Sequence, residues 1–203
     1  MTKAGMGLFI VLEGIDGAGK TTIAKMLLDD LERNGYRTIY TFEPWTTRFV
    51  EDLKSLGMRR DAYIDALIYA ADRLVHVKEV IEPAIRDGYI VVCDRYFYSS
   101  VAYQSAMGVP MDWIITLNMF ALKPDLAIYL DVEPEIGIAR KRGYKSRFPE
   151  YEEYGILRKA REIYLEMVRR NMLVYIYAGR DIGDVYRDVR NIVYRAIEQS
   201  YRR

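Results

Sequence analysis

The stretch "GIDGAGKTT", Gly14 to Thr22, follows the apolar run "LFIVL", Leu8 to Leu12, with only Glu13 between them. Its spacing fits G-x-x-x-x-G-K-[ST], with a strand pattern before it and a helical pattern after it. Glycines in such a loop let successive backbone N–H groups turn inward around phosphate oxygens. The positive end of the following helix adds to the attraction. Lys20 can reach the terminal phosphates as a point charge, and the Thr21 hydroxyl can ligate Mg²⁺. Gly14, Ile15, Asp16, Gly17, Ala18, Gly19, Lys20, Thr21 and Thr22 therefore form the expected ATP-binding set. The loop specifies a nucleoside triphosphate and says little about the reaction.

Outward from this loop, short apolar runs alternate with longer helical patterns. Strands are predicted at 8–12, 37–41, 89–93, 126–131 and 173–177. A long helix is predicted over 61–87, ended by Gly88 and kinked at Pro83, which lacks an N–H donor. Ile156, Ala160, Ile163 and Met167 mark the buried face of one helix; Val185, Val189, Ile192, Val193 and Ala196 mark that of another. Strands alternating with helices give a parallel sheet covered on both faces. The expectation is one domain over 1–203, a three-layer α/β/α sandwich on a five-stranded parallel sheet.

Composition narrows the functional classes. Apolar residues make up 51% of 203 residues, enough for a substantial core, and the formal net charge is +1. That balance argues against a general affinity for nucleic acid or anionic membrane. The lone cysteine, Cys93, rules out an internal disulfide and fits a reducing cytoplasm. No apolar run has the length of a signal peptide core or a membrane span. Eighteen tyrosines and plentiful Glu, Lys and Arg lean towards a thermophilic source.

Three reactions are compatible with the loop: a GTPase switch, phosphorylation of a hydroxyl, and phosphorylation of another phosphate. A GTPase would read guanine with an Asn/Thr-Lys-x-Asp segment after a strand. The nearest match, Leu122-Lys-Pro-Asp125, begins with leucine and precedes a strand, so it reads as a turn. A second constellation favours a kinase. "VVCDRYFYSSVAYQ", Val91 to Gln104, runs from a buried strand into a helix. An Asp and an Arg at the C-terminal edge of a parallel strand face the ligand crevice. Asp94 can hold Mg²⁺ directly or through water, and Arg95 can pair with a second anion.

The run Val92 to Gln104, with Asp94-Arg95-Tyr96, Ser99 and Ala102-Tyr103-Gln104, resembles the signature of thymidylate kinases. The loop beginning "LEGIDGAGKTT", the segment "FEPWTT" (Phe42 to Thr47), "YAADR" (Tyr69 to Arg73) and "KPDLAIYLDV" (Lys123 to Val132) lie in the family's order over about residues 8–180. The resemblance implies a nucleoside-monophosphate kinase that transfers the γ-phosphate of ATP to dTMP, uses Mg²⁺ and works as a homodimer. It implies that Arg95 grips the acceptor phosphate, Tyr69 stacks on thymine and Arg73 hydrogen-bonds its carbonyl edge. By the same resemblance Asp16 lies near the sugar 3′-hydroxyl, Tyr103 lies beneath the deoxyribose, and Ser100 and Gln104 complete the acceptor set. Three positions depart from common family residues: Phe42 before the Glu-Pro pair, Trp45 after it, and Ser100. The apolar face of 61–81, with Ile64, Leu67, Ile68 and Leu74, is either a dimer face or core.

The segment "ARKRGYKSRFPEYEE", Ala139 to Glu153, is expected to form a basic lid at about 140–152. Phosphoryl transfer needs cations around the moving group. Position 17 is glycine, where one branch of the family places an arginine, so the missing charge is expected from the lid. Arg147 is the first choice, with Arg140 and Arg142 close behind. The catalytic set is then Lys20, Arg95, Arg147 and Asp16, with Thr21 and Asp94 for the metal. A deoxynucleoside kinase using Glu13 or Asp16 as base, and a nucleotide-controlled binding protein, remain as alternatives.

Overall fold

The computed structural model describes residues 7–46, 48, 51–52, 61–141, 151 and 153–200. Five strands, β1 (Leu8–Glu13), β2 (Thr38–Phe42), β3 (Ile90–Asp94), β4 (Leu126–Asp131) and β5 (Val174–Tyr177), form one sheet in the order β2-β3-β1-β4-β5. Every pairing is parallel, with Leu12 opposite Asp94 and Phe42 opposite Asp94 at the upper edge. The central strands β1, β3 and β4 are buried along their whole length. That explains their unbroken apolar runs, since neither face meets water. All five predicted strands are present, each within a residue or two of its expected bounds.

Helix α1 (Lys20–Arg33) starts inside the glycine loop and packs beside α8 (Ile182–Ser200). The second helical group comprises α2 (Ala62–His76), α4 (Phe97–Ala106), α5 (Met111–Leu117) and α7 (Tyr154–Arg169), with α4 and α7 in extensive contact. The short helix α6 (Pro134–Arg140) leaves the end of β4. These layers give the predicted α/β/α sandwich.

The helix expected over 61–87 is segmented. α2 passes into a π turn at Val77–Ile81, where Glu82 N–H reaches back to Val77 O, and then into α3 (Glu82–Arg86). The irregularity sits one turn before Pro83, so the wider turn, rather than a kink at proline, absorbs the missing donor. α7 is rotated from the expected face. Its buried residues are Leu157, Ala160, Tyr164 and Met167, whereas Ile156 and Ile163 are only half-buried. Tyr164 displaces the isoleucines because its ring stacks on Tyr129 at 4.6 Å. In α8 the seam is Val185, Val189, Val193 and Ile197; Ile192 and Ala196 flank it.

Because all strands run the same way, the segments after β1, β2, β3 and β4 emerge at one edge. Those are the glycine loop, the Glu-Pro segment, Arg95 and α6.

Candidate active site

The loop after β1 has the expected form. Lys20 opens α1, is almost fully buried, and donates from Nζ to the carbonyls of Gly14 (3.0 Å) and Ile15 (3.1 Å). Burial, followed by the neighbouring Arg95 cation, lowers its pKa to about 8. Gly17, at φ +82°, faces α6. A Cβ there would lie 2.2 Å from Gly137 O, and one on Gly137 would lie 2.5 Å from Asp16 O. Two glycines thus let α6 rest against the loop backbone to backbone. Arg140, at the end of α6, donates to Ala178 O (3.1 Å) and lies 3.4 Å from Gly17 O.

Thr21 Oγ1 donates to Asp94 Oδ2 at 2.5 Å, and Asp94 is 7% exposed. This hydroxyl and carboxylate at the end of the phosphate loop are hard oxygen donors suited to Mg²⁺. They would supply the small protein share that such an ion takes when substrate phosphates provide the rest. Among the described residues no cluster of three or more His, Cys, Asp or Glu could hold a metal by itself.

Arg95 has a positive φ of 72°, in the left-handed region, with its N–H bonded to Leu12 O at 2.9 Å. Its guanidinium donates to Gly14 O (3.1 Å), to Ser99 Oγ (3.0 Å) and to Asp16, and lies over the Tyr103 ring at 5.4 Å. Lys141 Nζ donates to the other Asp16 oxygen at 2.9 Å. Burial acts to raise the Asp16 pKa, but Arg95, Lys20 and Lys141 outweigh it and hold the carboxyl well below the usual range.

Glu13 is completely buried and takes no part in the crevice. It accepts from Tyr96 N (2.7 Å), Ser99 N (3.2 Å), Ser99 Oγ (2.7 Å) and Tyr164 Oη (2.8 Å), so it caps the start of α4. Burial raises its pKa against these hydrogen bonds.

A cavity of about 300 Å³ opens beside the loop. Asp16, Tyr69, Arg73, Arg95, Ser100, Tyr103 and Gln104, all expected in the acceptor set, share its wall. Tyr103 is 7% exposed, and burial pushes its phenol up to about 12, so it is neutral. Gln104 Nε2 donates to Tyr151 Oη (3.2 Å), which donates to Asp65 Oδ2 (2.5 Å). Arg73 is 2% exposed and is held by Glu43, whose other oxygen lies 3.2 Å from His76 Nδ1. His76 and Cys93 have no catalytic placement. The histidine is buried between Glu43, Thr41 and the Trp45 ring, and burial pushes the Cys93 thiol up, keeping it neutral. Trp45 is a packing residue, its N–H bonded to Asp72 at 2.6 Å. Asp125 of the Lys-Pro-Asp turn accepts from Phe9 N at 2.8 Å, as a turn and not a base-reading loop would.

Sequence reasoning did not assign Glu43, Lys141, Tyr151 or Gly137 to the site. Glu43, Lys141 and Tyr151 lay inside segments already singled out; Gly137 joins it only through tertiary contacts. Arg142 and Arg147 lie outside the described residues.

The thymidylate kinase family model matches residues 12–189. A protein of Staphylothermus marinus named "Probable thymidylate kinase" is 55% identical over 188 residues, covering 92% of this chain and 94% of its own. Proteins with the same name from Thermococcus gammatolerans and Pyrobaculum calidifontis are 39% and 42% identical, covering 95% and 94% of this chain and 98% and 97% of their own. On a family model that spans most of its length and relatives covered almost end to end, this chain belongs to the thymidylate kinase family.

Proposed function

We propose that the chain transfers the γ-phosphoryl group of ATP to dTMP, giving ADP and dTDP. The observation that carries this is the cavity itself: aromatic rings and two arginines, placed directly against the phosphate loop. Tyr69 offers a flat ring for a base, Arg73 donors for its carbonyl edge, and Arg95 a fork for the acceptor phosphate. Lys20, now on loop carbonyls, exchanges them for the donor's terminal phosphates. Thr21 and Asp94 would hold Mg²⁺, which neutralises charge on the donor phosphates. The acceptor oxygen is already anionic at neutral pH, so alignment and charge neutralisation suffice without a general base.

A nucleoside kinase would need a carboxylate to activate a hydroxyl. Glu13 is sealed away behind four hydrogen bonds, and Asp16 is held strongly acidic by three cations. Both observations weigh against that reading. Measuring ATP turnover with thymidine, with dTMP and with neither separates the possibilities; turnover with thymidine but not dTMP refutes the proposal.

Lid arginines, Arg147 foremost, supply the positive charge that Gly17 cannot. We assign the working location to the cytoplasm, on the reduced, buried Cys93; among the described residues no helix is long and apolar enough to cross a membrane. Two copies pair through the outer face of α2. There Tyr63 (45% exposed), Leu67 (50%) and Val75 (37%) form an apolar stripe continued by Trp113. Light scattering on Leu67→Glu tests it: a monomer is expected, and an unchanged mass refutes the face.

A further inference from the structure

The Arg73 guanidinium is almost completely enclosed, and three protein acceptors fix it from three sides. Glu43 Oε2 takes Nε at 2.7 Å, Asn118 Oδ1 takes Nη1 at 2.5 Å, and Ser100 Oγ takes Nη2 at 3.1 Å. The Tyr96 ring lies against it, 5.5 Å from its centroid. A guanidinium has five N–H donors in one plane. Three are committed, which leaves one on each terminal nitrogen. Asn118 is itself 3% exposed and is not part of the cavity wall.

The amide of Asn118 has only one workable orientation. Its Nδ2 donates to Ile114 O at 2.8 Å, which turns Oδ1 towards the arginine. The opposite orientation would set an NH₂ against a cation and an oxygen against a carbonyl. Its backbone is fixed as well, capping α5 with its N–H on Ile114 O (3.2 Å) and accepting from Ala121 N (2.9 Å). Asn118 therefore transmits the rigid end of α5 to the guanidinium plane.

We propose that Asn118 is a positioning residue for base selection, holding Arg73 so that the cavity meets only N–H donors at that edge. This rests on the acceptor reading given above. A pyrimidine with an oxo group at the position facing Arg73 finds a partner there. One with an amino group meets donor against donor, leaving buried polar groups unpaired, which is the costly case. Asn118 acts through the arginine and touches neither substrate.

The test is steady-state kinetics on Asn118→Ala with dTMP and dCMP, together with calorimetric binding of each monophosphate and of ATP. The dTMP/dCMP ratio, in kcat/KM and in affinity, is expected to fall at least about tenfold, with ATP affinity within about twofold of wild type. Recovery of the ratio, at least in part, by Asn118→Asp, which keeps an acceptor on Nη1 but sets its second oxygen against Ile114 O, supports the assignment. If both monophosphates weaken by the same factor, Asn118 is merely structural and the proposal fails; an unchanged ratio also overturns it. Should Asn118→Ala not fold, Asn118→Ser carries the same comparison. A wild type that binds both monophosphates without turnover overturns the proposed function alone, and the affinity ratio still decides Asn118. A wild type that binds neither overturns both.

Discussion

Placing arginine at position 17, as one branch of the family does, would damage this enzyme instead of strengthening it. The first carbon of any side chain there meets Gly137 O at 2.2 Å and Gly137 Cα at 2.5 Å. Both are backbone atoms, so no rotamer change relieves the overlap, and the loop and α6 must separate. The left-handed backbone of Gly17 adds about 1–2 kcal/mol for an L-residue. Adding the overlap, at about 1–3 kcal/mol by analogy with overpacked cores, brings the loss to about 2–5 kcal/mol. In a domain of this size each kcal/mol shifts Tm by about 2–4 °C, so calorimetry should show a drop of at least about 4 °C. Arg140 and Lys141 move with α6, so KM for ATP should rise while kcat falls. Gly17→Ala carries the same first carbon without the charge and should reproduce the thermal loss. A Gly17→Arg variant that melts with wild type and turns over as fast or faster would refute the interlock between loop and α6.

Lys20→Ala is expected to lower kcat by about 10²–10³ while leaving dTMP affinity nearly intact; normal turnover would remove the loop from the mechanism. With a Lys20 pKa of about 8, activity should fall as pH rises through 8, because the deprotonated amine no longer balances phosphate charge. Bound MgATP favours the charged lysine, so the limb in kcat should lie at higher pH than that in kcat/KM, and a limb that persists in Lys20→Arg belongs to another group. Tyr103→Ala should shrink the preference for dTMP over its ribose counterpart by about 1–3 kcal/mol in kcat/KM; equal losses on both substrates would make the ring structural. Arg147→Ala should cost at least about tenfold in kcat with nucleotide affinities within about twofold, and unchanged kcat would refute the catalytic lid.

The parts of the site legible in the sequence are those whose chemistry is local. A phosphate loop must be contiguous because its N–H groups converge on one anion, and Asp94-Arg95 is legible because a parallel strand delivers its last residues to the ligand edge. Tyr164 shows the opposite case. Apolar counting marked Ile156 and Ile163, yet a tyrosine occupies the seam because its hydroxyl meets Glu13, 151 positions away. Gly137 could not be read either, since its meaning depends on a loop that β4 brings alongside. No neighbour in its own helix marks the role of His76, and only the fold shows Thr41 and Glu43 on either side of it. Charge spacing marked the lid as basic but could not separate Arg140, which tethers backbone carbonyls, from the rest.

Glu13 stands immediately before Gly14, and its carboxylate grips the backbone on the far side of Arg95, at Tyr96 and Ser99. The donor loop and the acceptor arginine therefore share a common origin, one side chain long. On the roles proposed above, breathing of the sheet or tilting of α4 is expected to displace both substrates together and to leave the gap between them unchanged. A misplacement of about 1 Å can cost about 10²-fold in rate, so on those roles this silent carboxylate would be the gauge that sets the reaction distance before either substrate arrives.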